Sequence, residues 1–260
     1  MMQKSQRDHK SHEVPQNIFS DGTFVVVDKP LKWTSFDVVN KFRWLLCKKL
    51  GVKRLKVGHA GTLDPLATGV VVLCTGRYTK RIEEVQKLPK EYTATLKLGA
   101  TTPSFDLESE EDATFSTEHI TREKVEEVLK QFEGVIPQVP PIFSAVKVAG
   151  SRAYELARKG EGVELQAKEV RIDCIELLEY SLPYIRIRVV CGKGTYIRAL
   201  ARDIGRSLEC GAYLTALRRE SVGEFRASEG IGVEQFEEYI EERMTIDKEG
   251  KGGIYEHGGV

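Results

Sequence analysis

In the stretch Gly58-His59-Ala60-Gly61-Thr62-Leu63-Asp64-Pro65-Leu66-Ala67-Thr68-Gly69, a single carboxylate stands among glycines and small residues. Pro65 biases Asp64 away from the helical region toward extended backbone. Gly58, Gly61 and Gly69 permit angles that other residues avoid, and they let a ligand approach the chain closely. An apolar run from Val70 to Cys74 follows, and a strand there would hold the loop on a rigid base. A carboxylate placed this way is a candidate nucleophile, or a charge that stabilises a developing cation. No second acid lies beside it in sequence, so it does not by itself make a glycosidase pair. Asp-Pro also opens ordinary turns, and the spacing alone fits that reading equally.

Other chemistries lack their signatures. The chain has no GxxxxGK[ST], GxGxxG or GxSxG stretch. Cysteines at 47, 74, 174, 191 and 210 form no CxxC pair, and histidines at 9, 12, 59, 119 and 257 do not cluster. That pattern argues against a disulfide frame or a zinc site and for a reducing, cytoplasmic setting. No metal or cofactor is expected. No apolar run of about 18 residues exists to span a membrane, and the polar start reads as a flexible leader over 1–20.

Net charge is zero over 260 residues, but it is unevenly spread. Residues 29–56 carry nine Lys/Arg against one Asp, and 186–219 carry eight against two acids. Residues 104–133 and 224–249 are acidic, with ten acids against three bases and nine against three. Basic blocks on an otherwise acidic body suit a polyanion such as nucleic acid, although solvated helix faces give the same pattern.

The elements that would position Asp64 follow from periodicity. Phe24–Val27 and Val70–Cys74 read as strands, and Tyr92, Ala94, Leu96 and Leu98 alternate as a half-buried strand over 91–98. Ser35 is expected to cap a helix over 36–49 with Phe36, Val39, Phe42, Leu45 and Leu46 inward. Thr121 caps a second helix with Val125, Val128, Leu129 and Phe132 on one face, ended by Gly134. A short helix is expected over 151–159, strands near 170–179 and 184–191, a helix over 195–208, and a last helix near 233–243. The mixed order gives an α+β class with one main sheet.

Five segments in order carry a family resemblance. GHAGTLDPLATGVVVL resembles the catalytic motif of the TruB family of tRNA pseudouridine synthases. Asp28-Lys29-Pro30 with Thr34-Ser35 resembles the family's first motif, with Trp33 where a small residue is usual. Lys90-Glu91-Tyr92 with Leu98–Thr102 resembles its tyrosine motif. Pro140–Lys147 and Arg152–Glu155 resemble its insertion, with Phe143 where Tyr is common. Cys191–Arg198 and Leu217-Arg218-Arg219 resemble its last motifs.

The resemblance implies a mixed, largely antiparallel central sheet with flanking helices and a catalytic cleft across the sheet. It implies a catalytic domain over 21–225 with an RNA-contacting insertion at about 135–165. Residues 226–260 are expected to form a short helix and tail, too short for a full PUA domain. Asp64 matches the catalytic carboxylate, Arg198 the arginine that pairs with it, and Tyr92 the tyrosine that stacks on the flipped uracil and is a candidate for proton removal. Tyr196 and Leu217 match residues lining the uracil pocket, Lys29 a lysine beside it, and His59 a wedge entering the space the base vacates. Read without the resemblance, Tyr92, Tyr196 and Leu217 also fit core packing, Lys29 a solvated strand end, and Arg198 a phosphate contact or surface ion pair. The implied reaction isomerises the tRNA T-loop uridine at position 55, without cofactor, membrane or obligatory protein partner, by a monomer. Attack at C1′, addition to the base and a glycal route all remain open. The rival activities are a tRNA-folding chaperone and a guide-RNA-dependent synthase.

Overall fold

Tyr92, Ala94, Leu96 and Leu98 are buried on one face of a strand whose other residues are partly exposed, so alternation builds the sheet's centre as expected. The computed structural model describes residues 17–142, 147–148, 151–152 and 165–248. Nine strands form one sheet: β1 (Phe24–Lys29), β2 (Val57–His59), β3 (Ala67–Thr75), β4 (Lys90–Leu98), β5 (Gly134–Gln138), β6 (Lys168–Ser181), β7 (Tyr184–Cys191), β8 (Ala212–Val222) and β9 (Phe225–Arg226). The order is β1-β3-β8-β4-β7-β6-β5, with β2 on β3 and β9 on β8. Only β3 and β8 run parallel; the other pairs are antiparallel.

Among the described residues the α-helices are α1 (Ile18–Asp21), α2 (Ser35–Leu50), α3 (Ile82–Lys87), α4 (Arg122–Lys130), α5 (Ile197–Ser207) and α6 (Phe236–Lys248). In α5, Ile197, Leu200, Ala201 and Ile204 are buried, with Leu208 just beyond the helix end, matching the expected stripe. Phe42 of α2 and Phe236 of α6 meet edge-on at 5.1 Å, which ties the C-terminal helix to the main core. Ile231 exchanges backbone hydrogen bonds with Val26 and Asp28, so the segment after β9 lies along β1.

Several expectations are corrected. Thr34, not Ser35, caps α2: its hydroxyl accepts from Asp37 N at 3.0 Å, and Asp37 returns a bond to Thr34 N, a capping box. Val38 is buried in the stripe where Phe36 was expected, and Phe36 points to solvent. β8 occupies the sheet's interior, although no strand was read there. Residues 17–20 belong to the fold, with Asn17 capping α1 and Phe19 fully buried. Ser151–Arg152 pairs with Lys147–Val148 as a two-residue ribbon rather than opening a helix. Phe143 and the remainder of the expected helix at 153–159 lie outside the described residues.

Candidate active site

Asp64 sits in the loop between β2 and β3, and three supports fix that loop. From α2, the Ser35 hydroxyl accepts from Leu63 N at 2.9 Å and donates to Leu63 O at 3.2 Å. From the end of β1, Lys32 N donates to Pro65 O at 2.8 Å, and the Lys29 ammonium reaches the carbonyls of Pro30, Trp33 and Pro65. From β8, the Arg219 guanidinium donates to Val70 O at 2.7 Å, Gly61 O at 3.1 Å and Thr62 O at 3.4 Å. Backbone carbonyls at Gly61, Thr62, Leu63 and Pro65 of the loop are thereby given donors.

The carboxylate meets an arginine from far along the chain. Arg198, the second residue of α5, places Nε 2.9 Å from Asp64 Oδ2 and 3.6 Å from Asp106 Oδ2, and its Nη1 donates to Ser104 O at 3.3 Å. The Arg198 side chain is 7% exposed, whereas that of Asp64 is 40% exposed. The pair therefore has a buried cation and an anion open to a substrate. A guanidinium out of water needs its counter-charge, and two carboxylates from different loops supply it. Asp106 is anchored in turn: its carboxylate accepts from Glu108 N, and its carbonyl accepts from the Thr102 and Ser104 hydroxyls.

Tyr92, Arg219 and Gly69 stand side by side on β4, β8 and β3. Burial pushes the Tyr92 phenol above its ordinary value, and a hydrogen bond and positive charge from Arg219 pull partly against that. At neutral pH the phenol is protonated, which suits a stacking surface better than a base. Lys29 is fully buried, and burial lowers its ammonium to about 8, partly countered by Asp64. Its contacts run to backbone carbonyls, so the structure gives it a loop-holding geometry.

His59 ends β2; burial lowers its pKa, and a backbone hydrogen bond with Gly61 pulls partly against that. Tyr196 is half-buried at the N-cap of α5, its backbone held in both directions by the buried Gln138 amide. Leu217 lies on β8 opposite Ala67 and Ala94, packed against the core. Asp64, Arg198, Lys29 and Tyr92 thus share one electrostatic neighbourhood.

Sequence reasoning missed three residues of this neighbourhood. Asp106 is hidden in an acidic block that reads as solvated charge. Arg219 belongs to a recognised motif but had no role assigned. Ser35 was read as a cap, although its hydroxyl instead latches the Asp64 loop.

The nine-stranded mixed sheet with its flanking helices, carrying an exposed carboxylate paired to a buried arginine, defines an α+β fold with its candidate site at the sheet. A solved structure titled as a Cbf5-Nop10-Gar1 complex superposes with a TM-score of 0.65 at 28% identity, covering 89% of this chain. This chain spans 57% of that structure's length. The model described as TruB family pseudouridylate synthase (N terminal domain) matches residues 48–197. The model described as tRNA pseudouridylate synthase B C-terminal domain matches 198–249. A protein of Phocaeicola vulgatus named tRNA pseudouridine synthase B is 65% identical over 225 residues, covering 86% of this chain and 96% of its own. A protein of the same name from Parabacteroides distasonis is 61% identical over 233 residues, covering 90% of this chain and 99% of its own. The chain belongs to the TruB family of pseudouridylate synthases and is an isomerase. Among the described residues no helix is long and apolar enough to cross a membrane.

Proposed function

We propose that this chain converts the T-loop uridine of tRNA, at position 55, to pseudouridine, with Asp64 as the catalytic carboxylate. The bond from uracil N1 to ribose C1′ breaks, the base turns, and C5 bonds to C1′. The proton leaves C5 and N1 ends protonated, so composition is unchanged. Asp64 supplies negative charge at the sugar carbon as N1 departs, and Arg198 holds the carboxylate in place. The observation carrying this reading is the 2.9 Å ion pair between an exposed Asp64 and a buried Arg198. The names of the relatives from Phocaeicola vulgatus and Parabacteroides distasonis support tRNA as the substrate.

The remaining assignments rest on the family resemblance. The flipped uracil stacks on Tyr92, with Leu217 and Tyr196 lining its pocket. His59, half-buried at the end of β2 and held neutral by burial, enters the space left in the RNA. Lys29 acts from beneath, through the Pro65 carbonyl. Residues 21–225 form the catalytic domain, with the insertion at about 135–165 on the RNA. The chain works as a monomer without guide RNA or a protein partner. A tRNA substrate and five free thiols suit the cytoplasm.

Mass-spectrometric mapping of unmodified tRNA, and of an isolated T-arm hairpin, tests this. Wild-type protein alone is expected to modify one uridine in each, while Asp64→Asn binds both and modifies neither. Equal turnover by Asp64→Asn would remove Asp64 from the mechanism. Activity only with added guide RNA would overturn the stand-alone reading.

A further inference from the structure

Helix α2 presents two large aromatics to solvent: Phe36 is 63% exposed and Trp44 is 61% exposed. On a 3.6-residue helix, Phe36, Asn40, Lys41, Arg43, Trp44 and Lys48 fall on one side, opposite the buried Val38, Val39, Phe42 and Leu46. The cations on this side meet rings and an amide rather than acids. Lys41 lies 5.5 Å over the Trp33 ring, Lys48 lies 5.2 Å over the Trp44 ring, and Arg43 bonds Asn40. None of the three is in an ion pair among the described residues, whereas their neighbour Lys49 is paired with Glu241 of α6. The helix's one acid, Asp37, is occupied in the capping box. Exposed Lys53, Arg54 and Lys56 continue the positive surface past the helix end.

The position of this face matters as much as its composition. The first residue of α2, Ser35, is bonded to Leu63, next to Asp64. From there the helix runs its 16 residues away from the site, roughly 24 Å at 1.5 Å per residue. The start of this helix is therefore anchored to the loop that carries Asp64.

We propose that the exposed side of α2 is an RNA docking track, on which Phe36 and Trp44 stack against unpaired bases while Lys41, Arg43 and Lys48 neutralise phosphates. Aromatics interleaved with free cations match single-stranded nucleic acid, because every base offers a π-face and every linkage a charge. A second copy of this chain is a poorer occupant, since a two-fold contact would set the same lysines against themselves. The inference rests on the isomerase reading and adds a binding surface to it.

The test uses the full chain and unmodified tRNA. Trp33→Phe leaves Trp44 as the sole tryptophan, and added tRNA is expected to quench its emission and shield it from iodide. Lys41→Gln/Lys48→Gln is expected to flatten the slope of log K against log salt by about 1.4 to 1.8, the value for two lost phosphate contacts. Phe36→Ala/Trp44→Ala is expected to weaken tRNA binding about five-fold or more per lost stack, with the loss in KM rather than kcat. Because all four side chains lie at the surface, unchanged melting curves show that the variants fold. Indifference of Trp44 emission to tRNA, with both double variants matching wild type, would overturn the track while leaving the isomerase reading intact. A dimer in solution that dissociates in Phe36→Ala/Trp44→Ala would also overturn it. Absence of pseudouridine from wild-type reactions would instead sink the isomerase reading itself.

Discussion

The backbone carbonyl of Arg219 fills the space where a side chain on Gly69 would stand. An ideal Cβ on Gly69 would lie 2.1 Å from that oxygen, and Gly69 has a φ of 102°, a conformation that disfavours side chains. Close approach of β3 and β8 at this point brings Arg219 beneath the Asp64 loop.

Gly69→Ala is therefore expected to destabilise the fold by more than the roughly 1–3 kcal/mol of backbone strain alone. Gly51→Ala is the internal comparison. Gly51 has a φ of 66° at the end of α2, but a Cβ there would meet nothing within 4 Å. Gly51→Ala is expected to cost about 1 kcal/mol. Urea unfolding of both variants checks the difference, and equal losses would show that β3 and β8 can separate without penalty.

Arg219→Lys tests whether the three carbonyl contacts matter beyond their charge. A lysine keeps the cation but not the planar fork that reaches Gly61, Thr62 and Val70 together. The expected result is a fall in kcat of about 10- to 100-fold, or 1.4–2.8 kcal/mol, with KM little changed. Steady-state kinetics on tRNA separates the two parameters. A change confined to KM would make Arg219 an RNA contact instead.

Much of the sheet was legible because strands such as β4 and β7 bury one face, and β3 is a continuous apolar run buried on both. β4 and β7 alternate cleanly, and α5 repeats its apolar residues at helical spacing. β8 was not legible, for a physical reason. Thr215, Arg218, Arg219 and Glu220 interrupt its apolar pattern, and two register shifts against β4 break its period. The strand that breaks the rule carries Leu217 and Arg219. Asp64, Tyr92 and Arg198 were singled out through ordered motifs, since no local period links residues so distant in sequence. Asp106 had no signal of this kind, because its value comes only from where Arg198 arrives.

Lys29 predicts a pH dependence with a definite sign. Its folded value is about 8, below the usual lysine range, so between about 8 and 10.5 the unfolded chain binds the extra proton. Stability from this group therefore rises as pH rises through that window, by up to about 3 kcal/mol. Buried Cys74 and Tyr92, whose values are raised, act in the opposite direction in alkali. The Lys29 contribution is isolated by subtracting Lys29→Met from wild type in urea unfolding at pH 7.5 and pH 10. The wild type is expected to gain on the variant at the higher pH, and a constant gap would mean that Lys29 titrates as an ordinary surface lysine.

Ser35 and Thr34 are adjacent hydroxyls with different work. Thr34 caps α2 from a half-exposed position, so Thr34→Ala is expected to cost about 1 kcal/mol of stability and leave kcat near wild type. Ser35 is buried, and its hydroxyl is both acceptor and donor to Leu63, the residue before Asp64. Ser35→Ala strands a buried N–H and C=O at that point, a loss of about 1–3 kcal/mol. It also frees the loop to move the carboxylate away from Arg198, so kcat is expected to fall as well. If the two variants lost stability and kcat alike, the latch from α2 to the Asp64 loop would have no catalytic part. A kcat loss confined to Ser35→Ala would show that the helix positions the carboxylate as well as covering the core.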